Sequence, residues 1–143
     1  MRRLLVATDG SEGADRALTA AVELVKATDA ELIIVNVEQG YLSENLEAMR
    51  KVEEASLEEI LYAASDGILT RAKTKAIDLG ATKVRTRSGL GDAVGFLLET
   101  INSEQPDMLV VGKRGRGRLL GLLIGSVSQK LVSLAPCKIL VVP

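Results

Sequence analysis

Short aliphatic runs recur along this chain between segments long enough for a helix, and that alternation constrains its fold more than any other feature. Residues 3–8 (RLLVAT), 31–37 (ELIIVNV), 108–111 (MLVV) and 138–142 (KILVV) are almost wholly branched or small apolar side chains, and residues 83–88 (KVRTRS) form a fifth run of mixed character. Continuous apolar runs of this length suit strands buried on both faces, as a parallel sheet covered by helices requires. Composition agrees, because 47% of the residues are hydrophobic but only 2% aromatic, so the core has to be aliphatic. A chain of 143 residues buries enough surface for one core, and a single domain over residues 1–143 is expected.

The intervening segments read as helices. Asp9-Gly10-Ser11 stops the first run, and Asp9 or Ser11 can cap a helix whose apolar face is Ala17, Ala20, Ala21, Leu24 and Val25. A loop is expected at residues 40–44. Residues 46–79 contain no proline and repeat apolar residues at helical spacing, with a break expected at Ser65-Asp66-Gly67 and a stop at Gly80. Glu47, Glu53, Glu54, Glu58 and Glu59 form its solvated face. Gly89-Leu90-Gly91 reads as a turn, Asp92 as the cap of a helix carrying Val94, Leu97, Leu98 and Ile101, and residues 126–133 as the last helix. Five strands alternating with about four helices predict an α/β fold, an open parallel sheet with right-handed crossovers and helices on both faces.

Between the last two strands lies a glycine-rich basic stretch, residues 108–128 (MLVVGKRGRGRLLGLLIGSVS). Glycine lets backbone N–H groups turn toward an anion, and Ser126 and Ser128 stand where the following helix opens its positive end, so the stretch reads as a phosphate cradle. Its spacing is neither G-x-x-x-x-G-K-[ST] nor G-x-G-x-x-G: Gly112, two residues, Gly115, nine residues, Gly125, then Ser126. A basic loop with no ligand is the plain alternative.

Other chemistries are closed by composition. There is no histidine, so no Ser-His-Asp or Cys-His nucleophile, H-E-x-x-H zinc helix or imidazole base can be built. The lone cysteine, Cys137, forms no internal disulfide; a buried structural thiol in a reducing, cytoplasmic compartment is expected. A net charge of −1 offers no global field for nucleic acid or an anionic membrane, and the absence of tryptophan argues against a stacking reader of single strands. No secretory leader is read at the start, and no apolar stretch approaches the ~20 residues of a spanning helix. Carboxylates, lysines, arginines and hydroxyls remain, which suit nucleotide and magnesium binding.

In such sheets ligands sit at the carboxyl ends of strands where strand order reverses. Ala7-Thr8-Asp9 and the segment 112–115 follow the first and fourth strands. If those strands are neighbours, Asp9 faces the basic loop and can take ribose hydroxyls or a phosphate-bound magnesium. Gly112, Gly115, Gly125 and the N–H groups of Ser126, Val127 and Ser128 then take the phosphates.

The opening LVATDGS, the spacing G-x2-G-x9-G-[ST] and the closing APCKILVV together make the chain resemble the universal stress proteins of the ATP-binding kind, over essentially its whole length. The resemblance implies a five-stranded parallel sheet of order 3-2-1-4-5, Rossmann-like and similar to the adenine nucleotide alpha hydrolases, with ATP and its Mg2+ as ligand. It carries over Ala7, Thr8 and Asp9; Val37 against the adenine; Val111 and Gly112; Arg114 and Gly115 in the phosphate loop; and Gly125, Ser126, Val127 and Ser128. Arg114 departs from the histidine common there, but its planar fork of donors still favours phosphate. Arg116 and Arg118 are expected at the surface or behind the site, and the plain alternative makes them, with Lys113 and Arg114, a solvated basic loop. No catalytic residue and no protein-held metal are implied. A homodimer through Lys138–Val142 is implied, which would also cover the apolar residues 119–124; alternatively those residues fold back on their own sheet and Pro143 blunts the edge.

The leading function is therefore a nucleotide-dependent stress or regulatory protein with little or no turnover, since no base other than Asp9 stands near the phosphates, and with regulatory protein partners unknown. A slow ATP-hydrolysing enzyme of the same fold and a nucleotide-free interaction module are the alternatives. The adenylating relatives are disfavoured because neither S-G-G-x-D-S nor H-x-G-H occurs.

Overall fold

A computed structural model describes residues 1–39, 54–114 and 125–143. Strands β1 (Arg3–Ala7), β2 (Glu31–Glu38), β3 (Val84–Leu90), β4 (Met108–Gly112) and β5 (Lys138–Val142) pair in parallel in the order β3-β2-β1-β4-β5. Helices α1 (Glu12–Thr28), α2 (Glu54–Asp78), α3 (Ala93–Glu104) and α4 (Ser126–Leu134) connect or flank them. The chain runs outward from β1 to β3, then returns to the other side of β1, so the strand order reverses between β1 and β4.

Strand alternation sorts the aliphatic residues into two cores. Leu4, Val6, Leu32, Ile34 and Val110 pack under α1 and α2 with Leu18, Val22, Leu69 and Ala76. Leu5, Ile33, Val35, Leu109 and Val111 pack under α3 and α4 with Val94, Leu97, Ile101 and Leu131. Both faces of the sheet are covered, which explains why these strands read as unbroken apolar runs. Each fully buried Leu or Ile contributes roughly 1.5–3 kcal/mol from burial. On α1 the buried stripe is Ala14, Ala17, Leu18, Ala21, Val22 and Val25, while Ala20 and Leu24 lie at its margin.

Three local expectations are corrected, and the choice between Asp9 and Ser11 as a cap is decided. The helix does not break at Ser65-Asp66-Gly67, because α2 is continuous from Glu54 to Asp78. Ser65 is fully buried there and its hydroxyl meets that of Ser88 on β3 at 2.7 Å, so the polar residue has a partner inside the helix. Gly89 and Leu90 are not a turn but the end of β3, paired with Val37 and Glu38. Lacking a side chain, Gly89 lets the Phe96 ring lie over the strand, where a Cβ would stand 2.5 Å from it. The turn comes at Gly91, whose φ of +106° is the left-handed conformation that favours glycine. The cap of α1 is Ser11, whose hydroxyl accepts from the Ala14 N–H at 3.2 Å, and not Asp9. Cys137 is half-buried rather than buried; desolvation against the α3–α4 core raises its thiol pKa.

The other expected boundaries agree closely. Asp92 caps α3 by accepting from Gly95 N–H at 2.8 Å, and Gly80, at φ +109°, follows the end of α2. Glu58 and Glu59 are solvated. The expected loop at 40–44, Glu47, Glu53, Arg116, Arg118 and the apolar residues 119–124 lie outside the described residues, as does the side chain of Glu54.

At the amino-terminal end of the sheet, charge fastens the outer strand. Arg85 of β3 donates through Nη2 to Glu104 at the end of α3 at 2.9 Å and through Nε to Glu31 of β2. Arg87 Nη1 donates to the same Glu104 at 3.3 Å and stacks 5.7 Å above the Phe96 ring. The hydrogen bond from Arg85 holds the Glu104 carboxyl below the usual carboxylate range.

Candidate functional site

At the opposite, carboxyl end of the sheet, the chain leaves β1 through a tightly wired turn. Thr8 N–H donates to Val35 O at 2.9 Å, Thr8 Oγ1 accepts from Gly10 N–H at 3.2 Å, and Asp9 Oδ1 accepts from Ser11 N–H at 2.9 Å. Gly10, at φ +82°, allows the reversal that starts α1. Asp9 is thereby held at the mouth of the sheet beside the first turn of α1.

On the other side of β1, β4 and the segments around it are closed by backbone contacts. Lys113 N–H donates to Val142 O at 2.7 Å, and Gly125 N–H donates to Lys113 O at 2.7 Å. Ser128 Oγ donates to Gly112 O at 2.8 Å, so its hydroxyl ties α4 to the end of β4. The glycines here serve close approach. A Cβ on Gly112 would stand 2.9 Å from Gly13 O, and one on Gly125 would stand 3.2 Å from Lys113 O. With the Gly125 N–H and the Ser128 hydroxyl engaged in the backbone, the donors left to meet an anion are the first-turn N–H groups of α4. Gly125 is the N-cap, and among the described residues no side-chain hydrogen bond caps this end. Helix geometry gives those groups no internal acceptor, and the helix dipole makes that end positive.

These segments enclose one cleft of about 320 Å³. It is lined by Ala7, Thr8 and Asp9 from the β1 end, Val35 and Val37 from β2 and Gln39 just beyond it, Ala93 and Leu97 from α3, Val111, Gly112 and Arg114 from β4 and beyond, and Ser126, Val127 and Ser128 from α4 with its N-cap Gly125, together with Ala14 of α1. Every described residue expected at the site from the sequence lines it; Gly115 lies outside the described residues. Sequence reasoning missed Ala14, Val35, Gln39, Ala93 and Leu97, and also Gly13, which backs Gly112. Small residues opening α1 and α3 carry no motif of their own; a glycine inside the first turn of α1 was the one available signal.

The cleft is divided in character. Val35, Val37, Ala93 and Leu97 make an apolar wall on the β2 side. Across the end of β1, Arg114, Ser126 and the amino end of α4 make a polar, cationic side. Asp9 is the one carboxylate among the described lining residues. Among the described residues no group of three or more metal-ligating side chains occurs. A second depression, of about 400 Å³ along α2 at Thr70, Arg71, Thr74, Lys75, Asp78 and Leu79, is open to solvent and draws on none of these segments.

Comparison with known proteins places this geometry. A family model described as "Universal stress protein family" matches residues 1–143. The universal stress protein YxiE of Bacillus subtilis is 34% identical over 145 aligned residues, covering 98% of this chain and 97% of the relative. Universal stress protein UspA from Lactobacillus plantarum superposes with a TM-score of 0.82 at 22% identity, covering 99% of this chain and 97% of that one. A universal stress protein solved in complex with cAMP superposes with a TM-score of 0.71 at 28% identity, covering 99% and 95%.

Proposed function

This chain belongs to the universal stress protein family, and we propose that it binds an adenine nucleotide, ATP with Mg2+, at the carboxyl-end cleft and acts as a nucleotide-dependent regulatory protein with little or no turnover. The observation that carries the reading is the convergence in one cleft of an apolar wall and a cationic, N–H-rich side, joined across Asp9. A base needs the first, phosphates need the second, and a ribose between them needs an acceptor for its hydroxyls. The related structure with cAMP is that of an adenine mononucleotide complex, which supports the same ligand class.

In this reading Val37 and the β2 side hold the adenine, and Ala7, Thr8 and Asp9 take the ribose region. Gly112, Arg114, Gly115, Gly125 and the N–H groups of Ser126, Val127 and Ser128 surround the phosphates, with Val111 beneath them. The donor set suits the phosphates of a nucleoside triphosphate. With Asp9 as the one carboxylate among the described lining residues, Mg2+ would be held chiefly by phosphate oxygens and water, and it would neutralise phosphate charge. Arg114 supplies a permanent positive charge whatever the pH.

The reading extends to assembly and place. The domain spans residues 1–143, and β5 (Lys138–Val142), at the open edge of the sheet, pairs with a second copy. Half-buried Ile139–Val142 and the exposed Val132 and Leu134 of α4 support that pairing, since an unpaired apolar edge is a liability. Among the described residues no helix is long and apolar enough to cross a membrane. A lone thiol fits the reducing cytoplasm. Its protein partners are those that distinguish the nucleotide-bound form.

The test is to purify the protein without added nucleotide, denature it, identify released small molecules by chromatography, and titrate the stripped protein with Mg-ATP by calorimetry. Released adenine nucleotide or saturable heat is expected. Neither, up to millimolar ATP, would overturn the proposal in favour of a ligand-free interaction module.

A further inference from the structure

One polar residue interrupts the buried aliphatic run of β2. Asn36 is 1% exposed, between Val35 and Val37 and beyond the fully buried Leu32, Ile33 and Ile34. Its Nδ2 donates to Thr8 O at 2.8 Å, whereas its Oδ1 is buried without a hydrogen-bond partner among the described residues. A half-satisfied buried amide is destabilising, and valine or leucine would fill the position without that cost. The useful half of the side chain therefore has to account for its presence.

That half acts on the exit of β1. In a parallel ladder Thr8, which donates to Val35 O, would accept in turn from the N–H of Val37, two residues further along β2. β1 ends at Ala7, and Asn36 Nδ2 closes that rung instead. The chain can then turn away from the sheet with its last carbonyl still held. The Thr8 amide and carbonyl are both anchored to β2, and the Asp9 carboxylate is oriented on its far side by Ser11 N–H. Buried beneath the turn, Asn36 does not line the cleft itself.

We propose that Asn36 is a positioning residue for the nucleotide cleft: by holding the Thr8 carbonyl at the end of β1, it sets the direction of Asp9 toward the ligand. The inference rests on the nucleotide reading above. It assigns Asn36 no contact with ligand, only control of where the Thr8–Asp9 peptide lies.

The test is Asn36→Leu in the full chain, alone and combined with Asp9→Ala, titrated with Mg-ATP and melted without nucleotide. Leucine removes the unpartnered oxygen at similar volume but also leaves the buried Thr8 carbonyl without its donor, so the two effects oppose and thermal stability without nucleotide should change little. Affinity for Mg-ATP should fall about tenfold, the scale of one charged or well-placed hydrogen bond lost from the site. Asp9→Ala should then cost much less in the Asn36→Leu background than in the wild type, because the carboxylate it removes is no longer aimed. Unchanged affinity in Asn36→Leu, or full additivity with Asp9→Ala, overturns the proposal while leaving the nucleotide reading intact. Wild-type protein that binds no Mg-ATP overturns both. Should Asn36→Leu fail to fold, Asn36→Val, which removes the donor on a β-branched frame suited to a strand, is judged by the same two criteria.

Discussion

The backbones of Gly13 and Gly112 touch: a Cβ added to Gly112 would stand 2.9 Å from the Gly13 carbonyl oxygen. One added to Gly13 would stand 2.8 Å from the Arg114 carbonyl oxygen. The first turn of α1 is thus seated directly on the end of β4. This contact brings the turn after β1 and the segment after β4 to the same side of the sheet, and it fixes the width of the cleft between them.

Gly13→Ala and Gly112→Ala should both destabilise the protein by about 1–3 kcal/mol, the usual cost of forcing extra volume into a closed contact. For Gly13 the outcome sets two effects against each other, because alanine inside a helix gains up to about 1 kcal/mol from propensity. The clash is with backbone, which cannot swing aside as a flexible side chain would, so net destabilisation is expected. Thermal or urea unfolding measures it. A Gly13→Ala variant more stable than wild type would show that α1 can lift from β4 at little cost.

Much of this arrangement is legible in the sequence, and the part that is not has a common cause. The runs that became β1, β2 and β4 are buried on both faces and β5, at the edge, is half-buried, so their apolar character survives any local ambiguity, and the ends of β1 and β4 carry the turn residues expected at a site. The α2 break expected at Ser65–Gly67 failed because Ser65 finds its hydrogen-bond partner on Ser88, far away in sequence. Gly89 looked like a turn because its partner in space, Phe96, is invisible to local reading. Gly13 in a helix and Asn36 in a strand run against local propensity without saying why, and each acquires its role from one tertiary contact, with Gly112 and Thr8 respectively. The resemblance, carried by motif spacing, named the site residues without giving reasons for them. The structure gives Gly112 and Gly125 a reason in backbone packing, and Ser128 a reason in its bond to Gly112 O.

Acid should loosen the outer edge of the sheet through Glu104. Its carboxyl accepts from Arg85 and Arg87, and the Arg85 hydrogen bond lowers its pKa below the ordinary value of about 4.3. A depressed folded pKa means that the unfolded chain binds the proton first. The contribution is therefore complete above the unfolded value and is lost as pH falls from about 5 through the folded pKa. Arg85 is half exposed, so solvent screens the pair and the contribution is set at about 1 kcal/mol or less. Glu104→Gln should lower stability at pH 7 by that amount and flatten the decline between about pH 5 and pH 3, as read from urea midpoints across that range. Parallel acid profiles for variant and wild type would assign the decline to other carboxylates.

Asp9 and Ser11 stand two residues apart and should separate ligand binding from folding. Ser11 Oγ caps α1 through Ala14 N–H, so Ser11→Ala should cost roughly 1 kcal/mol of stability while leaving the Asp9 carboxylate in the cleft. Asp9→Ala removes the carboxylate among the lining residues and one acceptor for Ser11 N–H, but leaves the helix cap in place. It should weaken Mg-ATP binding by about 1–3 kcal/mol, as the loss of a hydrogen bond to a charged group does, with a smaller change in unfolding midpoint than Ser11→Ala. Calorimetry and thermal melts on the two variants give the comparison. If Asp9→Ala instead lowers the midpoint as much as Ser11→Ala and leaves affinity at the wild-type value, the carboxylate serves the turn alone, and the ribose and metal side of the cleft must be supplied by other groups.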